Sequence, residues 1–157
     1  MPARRPLRDE DLDAVIGAVL RATRAFVGIA LRALDATDAP ITLPQYRMLA
    51  TLEADDRQNV RDLAARLGVE RSTATRMCDR LVGAGLIERN ADPSDRRAVV
   101  ISLTGAGREV VAAVTRVRRD IVATLLRSLP PARRGELVDL LDEFSDVAEK
   151  HERDACS

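Results

Sequence analysis

The sequence predicts a mainly helical fold carrying one small β-hairpin, and three observations point there. Apolar residues recur at steps of three and four over long stretches toward both ends of the 157-residue chain. Near the centre, two short helical runs follow one another around a glycine. Directly after them, two strand-like runs flank a polar turn. The aromatic residues are Phe26, Tyr46 and Phe144 alone. The core must therefore come from Leu, Val, Ile and Ala, which suits packed helices. The length suits one domain with a real core.

The elements follow in order. Over 9–36, Leu12, Val15, Ile16, Val19, Phe26, Val27, Ala30 and Leu34 mark one helix, about 40 Å long at ~1.5 Å per residue. A small domain has little use for such a helix unless a partner covers part of it. Thr42 and Gln45 have capping-box spacing and Pro44 falls in the first turn, so a shorter helix runs to near Ala54. The run EADDRQN reads as a polar loop. Helices are then expected over about 61–67 and 71–82, with Gly68 able to end the first in the left-handed conformation. Arg61 and Glu70 stand where Ser, Thr or Asp caps are preferred, so both starts read as uncapped. Strands are expected over 86–90 and 98–104, where Val99, Ile101 and Leu103 alternate with Ala98, Val100 and Ser102. A turn on Asp92-Pro93 joins them. Thr104 opens a long helix striped with Val110, Val111, Val114, Val117, Ile121, Val122 and Leu125, and Leu129-Pro130-Pro131 ends it. A last helix carries Leu137, Leu140, Leu141, Phe144 and Val147, and the charged tail from Glu149 is expected to fray.

Charge and cysteine content narrow the function. The 25 cations balance 25 anions, and 24 of those cations are Arg. That bias matches a GC-rich coding habit as well as a binding role, but either way Arg offers planar, bidentate contacts to phosphate and guanine. Cys78 and Cys156 form no CxxC pair and no metal-type cluster with the single His151, so no metal and a reduced, cytoplasmic location are expected. No unbroken apolar run reaches 18 residues, so neither a membrane span nor a signal peptide is expected. The phosphate loop GxxxxGK, HExxH and G-x-S-x-G are all absent. An enzyme is not expected, nor is a cofactor.

A helix–turn–helix followed at once by a charged hairpin has a mechanical use. The second helix enters a DNA major groove, the first braces it, and the hairpin, or wing, reaches the minor groove. At 100° steps, Ala74, Met77, Cys78 and Leu81 gather on one face of the second helix. Ser72, Thr73, Arg76, Asp79 and Arg80 gather on the other. The hairpin tip adds Asp95, Arg96 and Arg97, with Arg89 on the opposite strand. The same residues also fit an ordinary solvated face and a mixed-charge turn. From Arg61 to Arg97 eight Arg stand against six Asp and Glu, so charge alone does not decide.

Several motifs fall in register with one family. DPSDRRAVVISLTGAG resembles the wing signature of MarR-type regulators, an Asp-x-Arg tip before a strand ending in Leu-Thr and a Gly-containing helix start. ITLPQYRMLATL resembles that family's second helix, and VRDLAARLGVERSTATRMCDRLVGAGLIER its helix–turn–helix and first wing strand. The resemblance runs from about Asp9 to Val147. It implies a winged helix–turn–helix with long terminal dimerisation helices. Residues 37–103 would form the DNA-binding lobe, and 1–36 with 104–157 the dimerisation region. Arg97 matches the arginine that enters the minor groove, and Asp95 the acid that orients it, with Arg96 between them. Ser72, Thr73 and Arg76 match positions facing bases and phosphates, while Arg80 and Arg89 look like backbone contacts. The resemblance further implies a homodimer on a pseudo-palindromic operator of double-stranded DNA, repression, and release by a small-molecule effector.

Such effectors sit between the dimerisation helices and the lobe, which makes Phe26, Tyr46 and Arg47 candidate lining residues. The same three also fit lobe packing. Redox-sensing relatives use a cysteine near the first helix, where this chain has none, and Cys78 reads as inward packing. One tail histidine cannot supply a zinc-sensing site. The alternative is a winged-helix protein–protein interaction module without specific DNA binding, which zero net charge would suit.

Overall fold

The computed structural model describes residues 9–37, 41–91 and 99–155. Among the described residues, six helices and one hairpin follow in the order α1 (Asp9–Asp35), α2 (Leu43–Ala54), α3 (Val60–Leu67), α4 (Arg71–Gly83), β1 (Ile87–Ala91), β2 (Val99–Leu103), α5 (Gly105–Arg127) and α6 (Pro131–Ala155). The chain forms two compact units, Met1–Arg118 and Arg119–Ser157.

Local chemistry explains the starts and stops. Thr42 and Gln45 form the expected capping box at α2, with Pro44 in the first turn. At α3 the expectation of an uncapped start is corrected. The helix begins one residue earlier, at Val60, and Asn59 is the cap. Its Oδ1 accepts from the Asp62 amide at 2.9 Å, and its Nδ2 donates to the Asp62 carboxylate at 2.7 Å. Gly68 ends α3 at φ 66°, as its position predicts. α4 starts on Glu70 with no side-chain cap. The tail expected to fray is helical through Ala155. Charge does not oppose a helix there, since Glu, Lys, Arg and Ala are good helix formers.

The core of the first unit is closed by short elements. Met48, Leu49 and Leu52 of α2, Leu63 of α3, Ala74, Cys78 and Leu81 of α4, Ile101 of β2, and Val114 of α5 are fully buried. β1 and β2 pair antiparallel, Ile87 opposite Leu103 and Arg89 opposite Ile101. The loop before α3 is more than polar. Gln58 and Ile101 exchange backbone hydrogen bonds at 3.2 and 2.8 Å, which adds a one-residue third strand beyond β2. β2 does not follow its alternation. Val100 through Leu103 are all buried and Val99 is exposed, and Asn90 donates to the Ser102 hydroxyl at 3.1 Å.

One joint ties the hairpin to α5. The Thr104 hydroxyl donates to the Gly85 carbonyl at 2.7 Å and accepts the Gly107 amide at 3.1 Å. A Cβ on Gly107 would collide with the Leu86 carbonyl oxygen and crowd Leu103 Cδ2 at 3.2 Å. Only glycine lets α5 approach the strand this closely.

α1 differs from the rest. Among its described side chains only Ile29, Ala33 and Leu34 are buried, while Leu12, Ile16, Leu20, Phe26, Val27 and Leu31 lie exposed. Its stretch Leu12–Asp35, of mean hydropathy 1.7, is long and apolar enough to cross a membrane by length and composition. That qualifies the expectation of no span. Arg21 and Arg24 near its middle would each cost about 2.5–3.5 kcal/mol at a bilayer centre, so lipid is a poor occupant of this face.

Candidate nucleic-acid interface

α4 divides as its helical wheel predicts. Ala74, Cys78 and Leu81 are buried, Met77 and Thr73 are half-buried, and Arg71, Ser72, Arg76, Asp79 and Arg80 are exposed. The buried side is held by α2, where Cys78 Sγ lies 3.7 Å from Met48 Sδ. Burial pushes the Cys78 thiol above its ordinary 9.0. Nearby Arg89 pulls the other way and Asp79 adds to the rise. This is a packed thiol, as the sequence predicts.

The exposed side holds short polar groups and guanidinium groups together. Arg76 Nη2 donates to Thr73 Oγ1 at 3.3 Å. The Thr75 hydroxyl is engaged by the Arg71 carbonyl at 2.9 Å, so it is less free than Ser72 to meet a base. α3 braces α4 through Leu63, Ala64 and Leu67, all buried. Arg89 projects from β1 to the same side and pairs with Asp79 of α4, Nη2 to Oδ1 at 2.6 Å. Helical spacing places Asp79 on this face, but its partner lies beyond the turn. The available signal was an acid and an arginine flanking the Gly83–Gly85 turn. Asp95, Arg96 and Arg97 lie outside the described residues.

The three candidate effector residues have different surroundings. Tyr46 is buried and its hydroxyl accepts from Arg118 Nη1 at 3.4 Å. Arg47, next to it on α2, is exposed, and Phe26 on α1 is half exposed. An open cleft of about 500 Å³ lies elsewhere in the first unit, between Ala36, Thr37, Leu86 and the α5 residues Glu109 and Arg116. None of the three lines it. Among the described residues, no group of three or more His, Cys, Asp and Glu side chains could hold a metal ion.

A braced helix with a polar, arginine-bearing outer face, joined through a short turn to a hairpin, defines a winged helix–turn–helix, the architecture of a DNA-binding regulator. The MarR family profile matches residues 41–99. The chain is similar to the HTH-type transcriptional repressor MdtR of Bacillus subtilis, 30% identical over 72% of this chain and 73% of the relative. It is similar to the crystal structure of RV1404 from Mycobacterium tuberculosis, 39% identical with a TM-score of 0.82, over 90% of this chain and 97% of that one. It is also similar to BpsR of Bordetella bronchiseptica, 26% identical with a TM-score of 0.63, over 84% of this chain and 98% of that one. That structure concerns regulation of BpsR DNA binding by 6-hydroxynicotinic acid. The chain belongs to the MarR family, whose members are transcriptional regulators and not enzymes.

Proposed function

We propose that this protein is a homodimeric repressor in the cytoplasm that binds a pseudo-palindromic operator in double-stranded DNA and is released by a small molecule. The observation that carries the reading is the exposed face of α4. Exposed Ser72, Arg76 and Arg80, with half-buried Thr73 beside them, present donors and cations on a helix whose opposite face is buried. Ser72, Thr73 and Arg76 meet bases and phosphates in the major groove, and Arg80 and Arg89 meet the backbone. The tip residues Asp95, Arg96 and Arg97 serve the minor groove, with Arg97 inserted and Asp95 orienting it.

Dimerisation is supported by the exposed apolar residues of α1, and separately by those of α6, where Val138, Leu140, Leu141, Phe144 and Val147 are exposed. A second copy is the occupant that covers such stripes. The dimerisation region is thus assigned to 1–36 with 104–157, and the DNA-binding lobe to 37–103. Two-fold symmetry then sets the half-sites about one helical turn apart. Release by a small aromatic acid is supported by the BpsR likeness, with Phe26, Tyr46 and Arg47 as the lining residues proposed.

The test is a titration against the protein's own upstream promoter duplex over a salt series, beside Arg76→Ala and Arg97→Ala. Wild type is expected to prefer that duplex over random DNA. Loss of a base-reading Arg should cost about 1–3 kcal/mol, and loss of a phosphate-contacting Arg should lower the salt slope by about one. Equal, weak binding to both duplexes with neither substitution mattering would overturn the reading in favour of a protein-interaction module.

A further inference from the structure

We propose that Asp79 is a specificity-determining residue: it fixes the Arg89 guanidinium at the junction of recognition helix and wing, and so sets the ratio of specific to non-specific DNA binding. The proposal rests on the DNA-binding reading above.

Arg89 stands on the most firmly held rung of the small sheet. Its backbone pairs with Ile101 of β2, and Ile101 pairs on its other side with Gln58. Ile87, two residues before it, is buried, and so is Ile101 itself. The Arg89 Cα is therefore set, and what remains free is a long side chain. Asp79 removes that freedom from across the turn, at 2.6 Å. The bond uses one of five N–H donors. Both partners stay well exposed, at 39% and 54% of the side chain, so the remaining donors still face solvent.

The pair has little to offer as a source of stability, because solvent screens exposed ion pairs. Its chemistry makes more sense against DNA. A carboxylate on the groove-facing side of α4 repels phosphate wherever the chain lands. Where the backbone sits in register with Arg89, a pre-oriented guanidinium offsets that repulsion with less side-chain entropy to lose. Where it does not, the repulsion stands. One acid thus favours the right register and disfavours the others.

The experiment uses the full-length protein and two probes, a duplex that the wild type enriches from a random-sequence pool and the unselected pool itself. Asp79→Asn should weaken binding to the enriched duplex about two- to fivefold, the span an exposed ion pair supplies. It should strengthen binding to the pool about twofold, the size of one lost charge at roughly 8 Å in water. The ratio between the probes then falls about four- to tenfold. Asp79→Glu keeps the carboxylate and should hold pool binding at the wild-type level. In an Arg89→Ala background, Asp79→Asn should improve binding to both probes, reversing its sign on the enriched duplex. A ratio unchanged by Asp79→Asn, or the same change with and without Arg89, overturns the proposal. A wild type that enriches no duplex overturns the DNA-binding reading instead, so the two failures are distinct.

Discussion

α2 and α1 are neighbours in sequence, yet they treat their apolar residues in opposite ways. The 12-residue α2 buries Tyr46, Met48, Leu49 and Leu52. The 27-residue α1 buries Ile29, Ala33 and Leu34 near its end and leaves Leu12, Val15, Ile16, Leu20 and Phe26 open. The lobe around α2 is closed by its own chain. α1 is closed only in its last turns. Shape in the lobe is thus a property of one chain, whereas the apolar stretch of α1 is left open by the described residues.

The largest effect that would sharpen this contrast is at Gly107. Gly107→Val drives a branched side chain into the Leu86 carbonyl and should cost more than about 3 kcal/mol. The urea midpoint should drop accordingly, at every protein concentration. Leu49→Ala, in the closed lobe, should cost about 2–5 kcal/mol, again independent of concentration. Leu20→Ala on the open stretch should behave differently under the proposed dimer, with a loss that shrinks as protein is diluted. A concentration-independent loss at Leu20 would break the contrast.

Smaller effects sit at the helix starts. Asn59→Ala should cost about 1 kcal/mol through loss of the α3 cap, and Glu70→Ser should stabilise α4 by up to about 1 kcal/mol by adding one. Thermal unfolding of each checks the sign. The smallest effect is at Cys78. Burial raises its pKa above 9.0, so the folded state holds the proton more tightly than the unfolded state. That contribution is intact below 9.0 and is lost as pH rises from there through the folded value. Cys78→Ala should therefore lose less stability than wild type between pH 8 and pH 10 in urea titrations.

Features that depend on a few adjacent residues were legible in the sequence. The Thr42–Gln45 box, the left-handed Gly68 and the two faces of α4 all follow from spacing, and all are found. Features that depend on distant partners were not. Gln58 makes a one-residue strand, which has no periodicity to read. Gly107 matters because of Leu86, about twenty residues earlier and across the hairpin. Asp79 meets Arg89 only after the chain turns. Asn59 was missed for a simpler reason. Placing the helix start one residue late put Arg61 in view as the uncapped position. Tyr46 fitted core packing better than ligand lining from the sequence, and its burial with a bond to Arg118 is compatible with packing.

Sedimentation of the full chain with a fluorescent duplex enriched by the wild type decides whether two chains act together on DNA. The free protein should sediment at twice 17.2 kDa, and each duplex should carry two chains at saturation with no stable one-chain complex. A free protein at 17.2 kDa that binds the duplex one chain at a time would contradict the proposed dimer.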